Sequence, residues 1–204
     1  MTSFDERAAT WDDDPGKVER AAAVAAAIRA AVPLTPTSRL LEYGAGTGLL
    51  AQQLAVSVGA VTLADSSAGM RAVAESKVSA GALPAGTRVW DLDLAAAEPP
   101  DEQFDLIATM MALHHIHDVP RVLAGFARLL RPGGHVGIVD LVAEPGSFHR
   151  HGDFDGHHGF EPEQLAGWLG DAGFTDVQVL QPVHEVVREV GRFPLFLATA
   201  RRPE

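Results

Sequence analysis

The chain contains the stretch Leu40-Leu41-Glu42-Tyr43-Gly44-Ala45-Gly46-Thr47-Gly48-Leu49, in which three glycines occupy alternate positions. The apolar residues around it predict a buried strand over 39–43 and a helix over 49–58, so the glycines lie where a strand turns into a helix. Glycine adopts positive φ at little cost and lets a ligand approach the backbone, while the free N–H groups of a helix start favour a carboxylate or phosphate. The stretch therefore predicts a ligand-binding loop.

The spacing of these glycines narrows the choice of ligand. A dinucleotide fingerprint has the form G-x-G-x-x-G, whereas the third glycine here comes one residue early and Leu49 stands at the expected position. A nicotinamide-dependent reductase is therefore disfavoured.

An acidic residue ahead of G-x-G-x-G resembles the first motif of the class I S-adenosylmethionine-dependent methyltransferases. The chain resembles methyltransferase types 11 and 12 in particular, and is similar to the ubiquinone/menaquinone-biosynthesis methyltransferases. The resemblance implies S-adenosylmethionine as the cofactor and methyl transfer as the reaction. It also implies a set of residues around the methionine end of the cofactor: Glu42, Gly44, Ala45, Gly46 and Gly48.

Strand-like and helix-like segments alternate along most of the chain, which implies a parallel sheet with helices on both faces. The last two strand-like runs are joined by a short link through Gly191, and a connection this short favours an antiparallel pair. This order, with the Leu130-Arg131-Pro132-Gly133-Gly134 turn, is similar to the Rossmann-like sheet of those methyltransferases. We predict one α/β domain over 1–204, a doubly wound, mostly parallel sheet of seven strands with an antiparallel last strand. The predicted strands are 39–43, 60–64, 87–90, 104–109, 135–140, 176–187 and 193–200, and the predicted helices are 17–32, 49–58, 67–80, 119–130 and 161–172.

Composition excludes several classes of protein. The net charge of −11 disfavours a nucleic-acid partner, because a phosphate backbone is repelled on average. No apolar run approaches the roughly 20 residues that span a membrane, and the residues after Met1 lack the basic start and apolar stretch of a signal peptide. Cysteine is absent, so disulfides and thiolate metal sites are excluded. We therefore expect a cytoplasmic protein without a membrane span.

An acidic residue, Asp65, ends the second predicted strand about 20 residues after the glycine loop, where a ribose-binding acid is expected. We predict that Asp65 accepts hydrogen bonds from both ribose hydroxyls and that the adjacent Ser66 belongs to the cofactor site. The alternative is that Asp65 caps the helix that begins near Ser67.

The segment Asp91-Leu92-Asp93-Leu94 follows the third predicted strand. The family resemblance implies an acidic residue and a small or apolar one against adenine here. Two registers fit: Asp93 with Leu94 is favoured, and Asp91 with Leu92 stays open, as does an ordinary polar loop.

The fourth predicted strand leads into Met110, Met111, His114 and His115, at the sheet edge where ligands of doubly wound folds bind. The resemblance implies that Met110 lines the sulfonium end of the cofactor. Methyl transfer requires alignment of the acceptor and, where needed, removal of its proton, and histidine can take that proton near its ordinary pKa of about 6.5. Either His114 or His115 is therefore predicted as the catalytic residue, and the other as a residue that satisfies a backbone group.

Four of the nine histidines lie between Ser147 and Phe160. We predict that His149, His157 and His158 contact the acceptor. A metal site that includes Asp153 and Asp155 is an alternative, because imidazoles and carboxylates suit zinc, nickel or iron, although the spacing matches no familiar motif and no metal ligand is assigned. A solvated loop is the third possibility.

Aromatic and acidic residues mix near the start of the chain, which we predict to be a lid and helix segment over 1–32, with Trp11 in contact with the acceptor. An undocked terminus is the alternative. The predicted function is methyl transfer from S-adenosylmethionine to a small-molecule acceptor. The alternative function is that of a cofactor-binding but non-catalytic partner or regulatory protein, because fold does not guarantee function.

Overall fold

A computed structural model describes residues 4–149 and 154–204, and its centre is a seven-stranded sheet. The strands are β1 (Arg39–Tyr43), β2 (Ala60–Asp65), β3 (Arg88–Asp91), β4 (Phe104–Met110), β5 (Leu130–Leu141), β6 (Thr175–Arg188) and β7 (Gly191–Arg201). Their order is β3-β2-β1-β4-β5-β7-β6. The first five strands pair in parallel, and β7 lies antiparallel between β5 and β6. The predicted fold class is confirmed.

Helices cover both faces of this sheet. They are α1 (Phe4–Arg7), α2 (Pro15–Ala31), α3 (Leu49–Leu54), α4 (Ala68–Ser79), α5 (Val119–Leu129) and α6 (Pro162–Asp171), with 3-10 turns at Ala8–Asp13, Ala55–Ser57 and Leu113–His115. Side-chain oxygens of Asp14, Ser67 and Asp118 cap α2, α4 and α5. Such caps satisfy N–H groups that have no partner within the helix.

Alternate residues of each central strand pack on opposite faces. Leu41 belongs to the apolar cluster that α5 and α6 cover, whereas Leu40 belongs to the cluster beneath α2 and α3. Because a parallel sheet is buried on both sides, its strands appear in the sequence as continuous apolar runs. For six of the seven strands, both predicted ends lie within two residues of the ends in the structure.

The exception is the start of β5, which pairs with β4 from Leu130 instead of His135. The predicted Arg131-Pro132-Gly133-Gly134 turn forms an irregularity within this strand, since Leu130 pairs with Phe104 and His135 next pairs with Leu106. Gly133 has φ +75° there, a backbone conformation that glycine adopts readily.

The N-terminal segment, residues 4–13, is attached to the body of the protein by carboxylates. Asp5 Oδ1 accepts hydrogen bonds from Ser67 Oγ (2.5 Å) and Gly69 N (2.7 Å). Asp12 accepts from Thr47 Oγ1 (2.5 Å) and from Lys77 Nζ (2.8 Å). The segment therefore joins the glycine loop to α4. Across residues 4–149 and 154–204, every helix is too short or too polar to cross a membrane.

Candidate active site

A cavity of about 990 Å³ lies at the carboxyl ends of β1, β2 and β4. Its volume falls at the upper end of the range of small-molecule sites, about 300–1,000 Å³. Most of the predicted site residues line it: Trp11, Glu42, Gly44, Ala45, Gly46, Asp65, Ser66, Asp93, Met110, His114, His115 and His149. Gly48, Leu94, His157 and His158 lie outside the lining of this cavity.

The glycine loop has positive φ at Gly44, Gly46 and Gly48, at +64°, +55° and +81°. A Cβ on Gly44 would lie 2.4 Å from Cβ of Ala112, and one on Gly48 would lie 2.8 Å from Cδ1 of Leu63. At Gly46 the nearest atoms to such a Cβ are 3.8 Å away. Two of the glycines therefore permit close packing of the loop, and Gly46 leaves its backbone open to the cavity.

The carboxyl group of Glu42 is buried at the floor of this loop, with 2% of the residue exposed. Its Oε2 accepts a hydrogen bond from Ala51 N at 2.7 Å. Burial raises the pKa of Glu42 to about 8, although the Ala51 hydrogen bond and Lys77 oppose the shift. A neutral carboxyl group in this position retains a second oxygen for a ligand.

Asp65 ends β2 and connects the glycine loop to the start of α4. Its Oδ2 accepts from Gly46 N at 2.7 Å and its Oδ1 accepts from Ser67 N at 2.8 Å. Burial raises the pKa of this carboxyl, and the two backbone hydrogen bonds oppose that shift. The N-cap of α4 is Ser67, so the alternative role of Asp65 as the cap is not what the structure shows. A carboxylate has about four acceptor positions, which leaves capacity for a ligand.

The loop after β3 is held by a hydrogen bond from Leu94 N to the Tyr43 hydroxyl, 3.1 Å long. Leu94 is buried in the core and packs beside Gly125, whereas Leu92 and Asp93 line the cavity. Asp91 is exposed and pairs with Arg71. Of the four residues in the two predicted registers, Leu92 and Asp93 line the cavity, so each register contributes one residue.

Three histidines that line the cavity converge around the 3-10 turn that follows β4. Nδ1 of His114 lies 2.6 Å from Oδ1 of Asp140, and His114 N donates to Asp140 Oδ2 at 3.2 Å. Asp140 belongs to the carboxyl end of β5, the strand adjacent to β4. His114 and Asp140 are both buried, with 1% and 0% exposure.

His115 and His149 complete this cluster. Their ring centroids lie 5.2 Å apart, and those of His114 and His115 lie 4.1 Å apart. Burial, with the neighbouring histidines, lowers the pKa of His115 to about 3 and that of His149 to about 4. Both imidazoles are therefore neutral at physiological pH, the form in which histidine binds metals and accepts hydrogen bonds.

A turn held by Glu144 brings His149 to this cluster. Glu144 Oε2 accepts hydrogen bonds from Ser147 N, Ser147 Oγ and Phe148 N, at 2.6, 2.7 and 3.2 Å. The His149 ring stacks on Phe154 with centroids 3.7 Å apart. His151 and Asp153, part of the predicted histidine-rich segment, lie outside the described residues.

The two remaining predicted histidines, His157 and His158, lie outside the cavity. His157 N donates to the His114 carbonyl, and its ring packs against Phe160. His158 lies near Glu144, with 3.9 Å between Nδ1 and Oε1. Asp155 is exposed and lies near His117.

Sequence reasoning missed Asp140, Arg20 and Arg188. Asp140 is the last residue of the predicted strand 135–140. An acidic residue at the carboxyl end of a parallel strand lies at the edge where ligands bind, and this signal could have identified it. Arg20 Nε is buried without a hydrogen-bond partner among the described residues, and burial lowers the pKa of Arg20. The Arg188 guanidinium lies 3.7 Å from the Phe148 ring centroid. Both arginines line the cavity, which gives this part of it a positive character.

Residues 15–179 match the methyltransferase domain family. The chain belongs to this family. A ubiquinone biosynthesis O-methyltransferase of Xanthomonas euvesicatoria is 28% identical over 173 residues, which cover 76% of this chain and 70% of that protein. Other curated relatives are longer: the chain spans 55% of an uncharacterized methyltransferase of Schizosaccharomyces pombe and 30% of a biotin biosynthesis bifunctional protein of Bordetella avium.

Solved structures share the fold. A chain of the Haloferax volcanii complex between the Trm112 methyltransferase activator and a methyltransferase has a TM-score of 0.80 at 19% identity, covering 100% of this chain and 99% of that chain. The N-methyltransferase NodS of Bradyrhizobium japonicum, solved with S-adenosylhomocysteine, has a TM-score of 0.71 at 21% identity, with 95% and 90% covered. The predicted membership of the class I S-adenosylmethionine-dependent methyltransferases is confirmed.

Proposed function

We propose that the protein transfers the methyl group of S-adenosylmethionine to a small-molecule acceptor bound against the histidine cluster. The observation that carries this proposal is that one cavity is lined by the glycine loop, by Asp65 and by all three clustered histidines. A cofactor held by the loop and an acceptor held by the histidines would then share one cavity. The net charge of −11 favours a small acceptor over a nucleic acid.

The cofactor end of the cavity fits S-adenosylmethionine. The open backbone at Gly46 and the neighbouring Gly44 and Ala45 would lie along its methionine part, with the second Glu42 oxygen near the ammonium group. Asp65 would accept hydrogen bonds from the ribose hydroxyls. Adenine would contact Asp93 together with Leu92, since Leu94 is buried in the core.

S-adenosylmethionine supplies a methyl group that is activated by a positively charged sulfonium. The chain's own residues must align the acceptor and remove its proton. His114 is the proposed base: Asp140 contacts Nδ1, which leaves Nε2 to take the proton and stabilises the ring once it is charged. Burial gives His115 a pKa of about 3, so it is a weak proton acceptor and orients the acceptor instead.

Positive charge favours an acceptor with an anionic group. Arg20 and Arg188 line the cavity beside Phe148, and Arg20 Nε lacks a hydrogen-bond partner among the described residues. An acceptor carboxylate or phosphate would satisfy this donor, and arginine pairs with such groups in bidentate geometry. Phe4, Arg7 and Trp11 cover the same cavity, which supports the proposed lid role of the N-terminal segment and a contact of Trp11 with the bound ligands.

The proposal is tested by calorimetric titration with S-adenosylmethionine, S-adenosylhomocysteine and NADH, followed by a screen for S-adenosylhomocysteine production. The acceptor panel pairs neutral hydroxyl or amino compounds with analogues that carry a carboxylate. We expect both adenosyl ligands to bind, NADH not to bind, and turnover with carboxylate-bearing acceptors. Tight cofactor binding without turnover on any acceptor would instead favour a non-catalytic partner protein.

A further inference from the structure

We propose that His114, His115 and His149 form a binding site for one divalent transition-metal ion, best matched by zinc, at the acceptor end of the cavity. One ring nitrogen from each histidine lies within 4.8 Å of the corresponding nitrogens of the other two. Nitrogen ligands about 2.0–2.1 Å from a tetrahedral zinc lie roughly 3.4 Å apart, so small ring rotations close the site.

The unsatisfied nitrogen of His149 is the first argument for a ligand. Its Nε2 is buried and has no hydrogen-bond partner among the described residues. The partly exposed His115 ring lines the cavity and packs against Phe4, His114, His149 and Phe154. Histidines that serve only packing normally satisfy their ring nitrogens when buried. An ion satisfies both rings at once.

The His114–Asp140 contact is the second argument. Metal-bound histidines generally donate their other ring N–H to a carboxylate, which fixes the tautomer and orients the ring. Asp140 Oδ1 lies 2.6 Å from Nδ1 of His114, where it can accept such a hydrogen bond. The buried carboxylate also supplies a negative charge that offsets the positive charge of an ion. Nε2 of His114 is then the nitrogen available to the metal.

The three nitrogen ligands of the site determine which ions fit it. Imidazole nitrogen suits zinc, nickel, copper and iron, whereas calcium and magnesium require oxygen ligands. Three protein ligands with a fourth position open are typical of catalytic zinc sites. All three histidines line the cavity, so that open position is directed into it.

An ion here changes the role of the acceptor site. Because the ion occupies Nε2 of His114, this nitrogen no longer acts as the base, and the acceptor is instead held by an oxygen or nitrogen atom that coordinates the ion. Acceptors with adjacent donor atoms, such as two neighbouring oxygens, match such a centre. This assignment of the acceptor rests on the proposed function, whereas the metal site itself does not.

The test is titration of the full, tag-free, EDTA-treated chain with Zn²⁺ alone, followed by calorimetry, and with Co²⁺, followed by visible absorption. We expect one equivalent of either ion and the absorption of a nitrogen-ligated, tetrahedral or five-coordinate cobalt. His149→Gln and His115→Gln should lose stoichiometric binding, and Asp140→Asn should weaken it by about 10–100-fold. His157→Gln is the matched control, since His157 lies in the same part of the chain but outside the cavity, and it should bind as the unaltered protein does.

Absence of stoichiometric binding of Zn²⁺, Co²⁺ or Ni²⁺, or equal affinity in the His149→Gln and unaltered chains, would overturn the metal site. Circular dichroism and S-adenosylmethionine binding are measured on each preparation to show that it is folded. Normal cofactor binding without metal binding rejects the metal site alone. Metal binding without any cofactor binding rejects the proposed function alone.

Discussion

Oδ1 of Asp140, at the carboxyl end of β5, lies 2.6 Å from Nδ1 of His114, in the 3-10 turn that follows β4. Parallel pairing of β4 with β5 brings their carboxyl ends to one edge, where a buried carboxylate fixes the orientation of a buried imidazole. The contact serves either proposed state of His114, as a base or as a metal ligand.

Replacement of this carboxylate should impair turnover without impairing cofactor binding. With His114 as the base, Asp140→Asn leaves its ring without the carboxylate partner, and we expect kcat of the metal-free protein for methyl transfer to fall by about 10²–10⁴-fold, the range for loss of acid–base assistance. The dissociation constant for S-adenosylmethionine should be unchanged. Asp155→Asn, which removes an exposed carboxylate near His117, is the control. An unaltered kcat and pH profile in Asp140→Asn would contradict a positioning role.

Loss of the carboxylate at the end of β2 should weaken cofactor binding. Asp65→Ala removes the proposed acceptor for the ribose hydroxyls and should cost about 1–3 kcal/mol of binding free energy, measured by calorimetry. Asp91→Ala removes a neighbouring exposed carboxylate that pairs with Arg71 and should bind nearly as the unaltered protein does. Equal losses in both variants would reject the ribose assignment.

The pKa of Glu42 gives a pH-dependent prediction. Because its folded pKa is about 8 against an ordinary value of 4.5, the neutral form stabilises the fold below pH 4.5, and this contribution is lost as pH rises from there to about 8. The slope is about 1.4 kcal/mol of unfolding free energy per pH unit within that window. Lys77 and Asp65 are the charged groups that act on Glu42, and they shift its pKa in opposite directions.

Denaturant unfolding from pH 5 to pH 9 tests this prediction. Glu42→Gln keeps an oxygen for Ala51 N and removes the titration, so its unfolding free energy should vary less with pH than that of the unaltered protein. Glu98→Gln, at an exposed carboxylate paired with Arg128, is the control. Parallel pH profiles for Glu42→Gln and the unaltered chain would show that Glu42 ionises normally.

The carboxylate bridge of the N-terminal segment should control cofactor exchange. Asp12→Asn weakens the contacts to Thr47 and Lys77, and we expect S-adenosylhomocysteine to dissociate several-fold faster, because charge-assisted hydrogen bonds contribute about 1.5–3 kcal/mol. Stopped-flow fluorescence of Trp11, which lines the cavity, reports the rate. Asp13→Asn, at an exposed neighbour, is the control. Identical dissociation rates in the two variants would argue against a lid.

Local patterns were sufficient for the fold class. The apolar runs of buried strands and the glycine loop predicted a doubly wound sheet of seven strands, and Asp65 and Met110, which were predicted from the ends of strands, line the cavity. The start of β5 was misplaced because proline and glycine normally mark a turn, whereas here they form an irregularity inside the strand.

Contacts between distant segments were beyond local patterns. His149 reaches His114 only because a turn held by Glu144 directs the chain back to the sheet edge. The two arginines belong to α2 and to the end of β6, far apart in sequence. Leu94 was favoured over Leu92 by register counting, but the hydrogen bond from Leu94 N to Tyr43 draws this residue into the core.

The last two residues of β1 hold a helix and a loop on opposite faces of the sheet. Glu42 binds Ala51 N on the α3 side, and the Tyr43 hydroxyl accepts from Leu94 N on the α5 side. Since neighbouring strand residues point in opposite directions, one pleat sets the separation between the loop proposed for methionine and the loop proposed for adenine. A single peptide unit therefore separates the two anchors, and an insertion or deletion of one residue at this point would exchange the faces to which they point.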